Sequence, residues 1–102
     1  MSLDSKSLLI QTTLSLAHTN PITINGLVDS GASGSGYIDR SFVESQGITT
    51  KATPSARSLL LGNGEVADTI TEYALVPTTI GIYSETALFY VAKVESPVIF
   101  GL

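Results

Sequence analysis

Short alternating runs rich in β-branched and hydroxyl residues recur between turn signals along this chain. That period of two is the pattern of a small all-β domain rather than a helical one. Residues 8–17 read as one strand and residues 22–28 as the next. His18, Thr19, Asn20 and Pro21 form the turn between them, because proline fixes one φ and asparagine tolerates tight backbone geometry. Residues 36–38 read as a short strand. Asp39 then caps a helix that runs to Gln46, and Gly47 stands where a left-handed residue ends it. Residues 51–55, with Pro54 among them, read as loop. Residues 58–61 and 65–71 flank Gly62, Asn63 and Gly64, and Asn-Gly between two strand-like runs is a strong hairpin signal. Residues 73–82 and 86–94 make a further strand pair turned at 83–85, and Pro97 introduces the final apolar run "VIFGL". The expected architecture is a small, closed or nearly closed β-barrel with one short helix and a projecting hairpin.

A chain of 102 residues makes one domain and buries roughly 65% of its unfolded surface. It contains no cysteine, which removes disulfides, thiol nucleophiles and zinc patterns built on cysteine pairs. A reducing compartment fits, so the expected location is cytoplasmic, free or enclosed in a particle. The apolar runs fall short of the roughly 20 residues that span a bilayer as a helix, and no membrane association is expected. With five lysines and arginines and a net charge of −4, there is no basic stripe to neutralise phosphates, so this domain alone is not expected to bind nucleic acid. Charged residues make up 14% where about 25% is usual, which leaves apolar and hydroxyl-bearing surface for a partner.

The stretch "LVDSGASGSGYID" places an acidic residue, Asp29, directly after two aliphatics and ahead of a run of small residues. A carboxylate beside a core is costly unless something uses it. Three familiar loop chemistries fail on spacing. No lysine follows Gly31, Gly34 or Gly36 as a phosphate-binding loop needs, and the third glycine of a dinucleotide fingerprint would fall at Asp39. A serine nucleophile elbow needs glycine where Ser35 stands, and the lone histidine, His18, is in a turn. What remains is the triplet Asp29, Ser30 and Gly31, with glycine letting the backbone turn sharply.

"LVDSGAS" resembles the aliphatic-aliphatic-D-[ST]-G-A signature of retropepsins, the aspartic proteases of retroviruses and long-terminal-repeat (gypsy-like) retrotransposons. A hairpin precedes the motif, a glycine-rich hairpin tip follows at Gly62, Asn63 and Gly64, and "PVIFGL" is similar to the family's second aliphatic-aliphatic-glycine element at Ile99, Phe100 and Gly101. "GASGSGYIDRSFVESQGI" is most similar to the retrotransposon branch. The resemblance implies an acid-protease barrel in which Asp29 is catalytic, Ser30, Gly31 and Ala32 support it, residues 62–64 form a flap over the substrate, and no metal or cofactor is used. Leu27 and Ile99 would line substrate pockets.

Peptide hydrolysis by carboxylates needs one group to take a proton from water and another to give one to the carbonyl oxygen. The chain carries one D-[ST]-G triplet, so the second carboxylate has to come from a second copy, and a homodimer with two Asp29 at its axis follows. The expected function is therefore an aspartic endopeptidase that processes a Gag-Pol-like polyprotein. The alternative is a catalytically silent retropepsin-like domain that binds peptides or dimerises. Retroviral members carry an ion pair between positions that are Ser33 and Leu102 here, so that contact is missing. Residues 1–102 are expected to be a single domain, excised from a longer polyprotein ahead of a terminal helix.

Overall fold

A computed structural model describes residues 7–17, 19–29, 36–60 and 66–101. It is an all-β fold with one short helix: β1 (Ser7–Leu14), β2 (Ile22–Asp29), β3 (Gly36–Asp39), α1 (Arg40–Gln46), β4 (Lys51–Leu60), β5 (Val66–Ile80), β6 (Tyr83–Ala92) and β7 (Val98–Gly101). The sheet order is β1-β2-β7-β3-β6-β5-β4, and β1 also pairs with β5 through Thr13↔Thr79 and Leu14↔Thr78. Six strands thus close into a barrel, and β4 hangs outside it on β5. Two neighbours run parallel, β2 with β7 and β3 with β6, whereas the other pairs are antiparallel.

Alternation along the strands sends every second side chain inward. Ile38 joins the inner core with Leu14, Val43, Ala74, Val76, Phe89, Val91 and Val98, and Phe100 and Ile24 pack against it. Tyr37, one residue earlier, faces the other way into an outer cluster with Ile70 and Ala92, joined by Tyr90 and Ile99. The β1–β2 ladder runs from Ser7↔Asp29 to Leu14↔Ile22, so the two strands pair as expected, but β1 ends at Leu14 instead of residue 17, the connection runs over 15–21 rather than 18–21, and β2 extends one residue further, to Asp29. His18 lies outside the described residues. The helix caps are local and behave as expected. The Asp39 carboxylate accepts from the Phe42 N–H at 3.2 Å, and Gly47 ends the helix at φ 64°.

Three readings of the second half are corrected. Residues 51–55 belong to β4 rather than to a loop. Ala52 lies opposite Glu72 and Arg57 opposite Ile70, so residues 53–56 bulge against a single position of β5. Pro54 is tolerated because it sits in this bulge on the strand at the sheet's end, where a missing N–H breaks no ladder. Residues 66–80 form one strand, not two. Glu72 interrupts the apolar alternation that leads to Ala74 and Val76, and its carboxylate accepts from the Thr50 hydroxyl at 3.2 Å. Finally, the β5–β6 turn is Gly81-Ile82 instead of 83–85, because Ile80 pairs with Tyr83. Gly81 has φ 60° while Ile82 does not have positive φ, which fits the II′ turn that favours hairpin twist. Ile82 is 92% exposed, so an apolar residue at the tip disguises the turn.

Gly26 marks the tightest inner contact of β2. A Cβ there would lie 2.6 Å from Phe100 Cε2 and 3.0 Å from Thr12 Oγ1, and Thr12 is itself fully buried. Gly26→Ala is therefore expected to destabilise the fold by about 1–3 kcal/mol through overpacking, read as a lower urea midpoint at unchanged slope.

Candidate active site

Two of the elements singled out in the sequence, the end of β2 at Asp29 and the strand of Ile99, Phe100 and Gly101, are brought side by side by strand register. β2 terminates at Asp29, whose backbone lies opposite Ser7 on one side and Gly101 on the other. β7 runs between β2 and β3, pairing Leu27↔Ile99, Val28↔Phe100 and Asp29↔Gly101 in parallel and Gly36↔Phe100 antiparallel. Residues 30–35 thus connect two strands that flank the "VIFG" strand. Positions 72 residues apart in the chain, Asp29 and Gly101, are ladder neighbours. The Asp29 side chain and residues Ser30, Gly31 and Ala32 lie outside the described residues, as do Gly62, Asn63 and Gly64.

Small residues make this junction possible. A Cβ on Gly36 would come within 2.9 Å of Phe89 Cδ1 and 3.2 Å of the Leu88 carbonyl, so a side chain there would crowd the Phe89 ring. Phe100 fills the space beneath, edge-on to Phe89 with centroids 5.8 Å apart. Beside Gly101 a cleft of about 240 Å³ opens between Gly36, Glu85, Ala87, Leu88 and Phe100. Ile99 does not line it; its side chain packs into the outer cluster with Tyr37, Ile70 and Ala92.

The arms of the β4–β5 hairpin are described up to the pair Leu60↔Val66. Their base meets the barrel through side chains that sequence reasoning leaves unassigned. On the β5 arm the Asp68 carboxylate accepts from the Lys93 N–H at 2.9 Å and from the Thr69 N–H at 2.8 Å, and Arg40 Nη2 lies 3.6 Å from Asp68 Oδ2. The Lys93 amide, with help from Thr69 and Arg40 and against a smaller opposing effect of burial, holds the Asp68 carboxyl below the usual range. On the β4 arm Arg57 donates to the Tyr90 hydroxyl and lays its guanidinium 4.6 Å from the Tyr90 ring centroid. Asp39 does more than cap the helix: its second oxygen accepts from the Val94 N–H at 3.1 Å. No local signal marks these contacts, because their partners are 25, 33 and 55 residues away.

Next to Asp29, β1 presents an edge. Among the described residues β1 pairs with β5 only through Thr13 and Leu14, so residues 7–12 have a strand on one side. Leu8 is 58% exposed and Leu9 61%, and as consecutive strand residues they offer apolar surface on both faces. Among the described residues no group of three His, Asp or Glu side chains could hold a metal ion, and no helix is long and apolar enough to cross a membrane. Comparison with protein-family models and with curated proteins finds no match.

Proposed function

We propose that the chain is an aspartic endopeptidase of the retropepsin type, in which two Asp29 carboxylates meet at the axis of a homodimer and cut an extended polyprotein segment. One observation supports this reading: the end of β2 at Asp29 and the Ile-Phe-Gly strand are parallel neighbours, Asp29 opposite Gly101, in a closed small barrel. The β1 edge supports the dimer: among the described residues, residues 7–12 pair on one side alone, and the exposed Leu8 and Leu9 follow Ser7, whose backbone lies opposite Asp29.

In this reading two like carboxylates brought close share one proton and titrate as a pair. One takes a proton from the attacking water while the other protonates the scissile carbonyl oxygen, and after attack the pair returns the proton to the leaving amine. Ser30 hydrogen-bonds across the axis, Gly31 accepts from substrate backbone, and the hairpin lies over the bound strand and excludes water. The substrate is a Gag-Pol-like polyprotein, and the protein works in the cytoplasm or in a particle assembled there.

The deciding experiment measures cleavage of a denatured protein substrate at mildly acidic pH, with and without a pepstatin-type inhibitor, over a hundredfold dilution. Activity per chain should fall on dilution because each site needs two chains, and the rate should trace a bell against pH. Cleavage that resists the inhibitor, or climbs steadily through pH 8, points to other chemistry. A dimer that binds substrate peptide without cutting it identifies a silent retropepsin-like domain instead.

A further inference from the structure

Both arms of the β4–β5 hairpin are tied to the same short piece of chain, the end of β6 and the linker that follows it. Asp68 on the β5 arm takes the Lys93 amide at 2.9 Å, and Arg57 on the β4 arm holds Tyr90. The next amide, Val94, goes to Asp39 at 3.1 Å, and the Asp39 N–H donates to the Pro97 carbonyl at 2.9 Å. Two carboxylates from different elements therefore grip consecutive amides of the linker that leads directly into β7. Each spends its other oxygen on an amide one to three residues along the chain, Thr69 or Phe42, so each is held in position before it reaches the linker.

The placement of Asp68 along the hairpin is also informative. It lies opposite Leu59, and the register shifts between Leu59 and Leu60, the latter pairing with Val66. The tether thus sits just below a break in the β4–β5 ladder, where strands bend most readily.

From these contacts we infer that Asp68 and Arg57 form a two-point latch that fixes the hairpin arms to the end of β6 and, through the Lys93–Val94 amides, to the strand that flanks Asp29. The latch holds whether or not the chain cuts peptides. Its Asp68 point opens with acid. The charged and titratable groups around it are Arg40 from α1, Asp39 from the end of β3, Lys93 on the linker, and Arg57 and Tyr90 on the other arm and on β6. The folded carboxyl lies below its ordinary value, so the ionised form favours the folded state. That contribution is complete above the ordinary carboxylate range and is lost as pH falls through the depressed folded value. The Arg57 point is made to a tyrosine hydroxyl and ring and involves no carboxylate, so it persists in acid.

Amide hydrogen exchange by NMR tests the latch with no need for activity. In Asp68→Ala the Lys93 amide should lose at least tenfold of its protection while core amides such as Phe89 keep theirs. In the unaltered protein Lys93 protection should fall as the pH is lowered from 6 to 2, the fall setting in below the ordinary carboxylate range. Asp68→Asn, which retains one acceptor and the shape, should be pH-independent at Lys93 over that range. Arg57→Met should lower protection at least fivefold in residues 57–60 without moving Lys93. Lys93 protection within twofold of the unaltered protein in both Asp68 variants would overturn the Asp68 point, and unchanged residues 57–60 in Arg57→Met would overturn the other. Should Asp68→Ala fail to fold, the pH series and Asp68→Asn decide alone.

Discussion

Asp29→Asn is expected to lower peptide cleavage by about 10²–10⁴-fold, the range that a positioned general acid or base contributes. In the proposed homodimer the substitution acts twice, because each site would lose both carboxylates, so the loss should lie toward the upper end. Asparagine keeps the size of aspartate and the backbone amide that β2 uses in its ladder with β1 and β7. Stability should consequently hold or rise slightly, since a shared proton between two close like charges costs free energy that two neutral amides do not incur. Turnover within tenfold of the unaltered chain, at matched thermal stability and dimer content, would remove Asp29 from the chemistry.

Phe89→Ala carries the largest expected effect on stability. Phe89 is fully buried, packs edge-on against Phe100 at 5.8 Å, and lies in register with Gly36 on β3 and Ala74 on β5. Its removal leaves a ring-sized cavity in the middle of the barrel wall, and such truncations cost about 3–5 kcal/mol. That is a large share of the roughly 5–15 kcal/mol that holds a domain folded. Gly36 supplies an internal check. A Cβ at that position would sit 2.9 Å from Phe89 Cδ1, so Gly36→Ala should be damaging alone but better tolerated with Phe89→Ala, where the added methyl enters vacated space. Denaturant unfolding of the two single variants and the double variant should show the double less destabilised than the sum, by about 0.5–3 kcal/mol. Additive losses would mean that the ring and the glycine are not in contact.

Much of the architecture is legible one segment at a time, because the forces that set those segments act over a few residues. Asp39 reaches the Phe42 amide three positions away, and Gly47 adopts φ 64° where the helix ends. The pairing of β1 with β2 follows from their alternating arms. Misreadings occur where a residue's local preference is overruled by its neighbours in space. Pro54 signals loop, yet the outer position of β4 and the bulge at 53–56 make room for it in a strand. Ile82 looks like a strand residue and is the exposed corner of a turn set by Gly81.

The amino-acid order by itself determines the β class, the single helix with both its caps, and the identity of the Asp29 triplet, since period, capping and motif are all short-range properties. Only the tertiary structure decides which strands are neighbours. A period of two states which side chains turn inward, but the pairing of β2 with β7 and of β3 with β6 depends on how six strands can close around Phe89, Phe100 and Ile38. Closure places Gly101 beside Asp29 and carries the Asp68 and Asp39 carboxylates to the Lys93 and Val94 amides, 25 and 55 residues along the chain. Such contacts form because the barrel leaves those amides facing a carboxylate, and no property of either residue in isolation specifies the other.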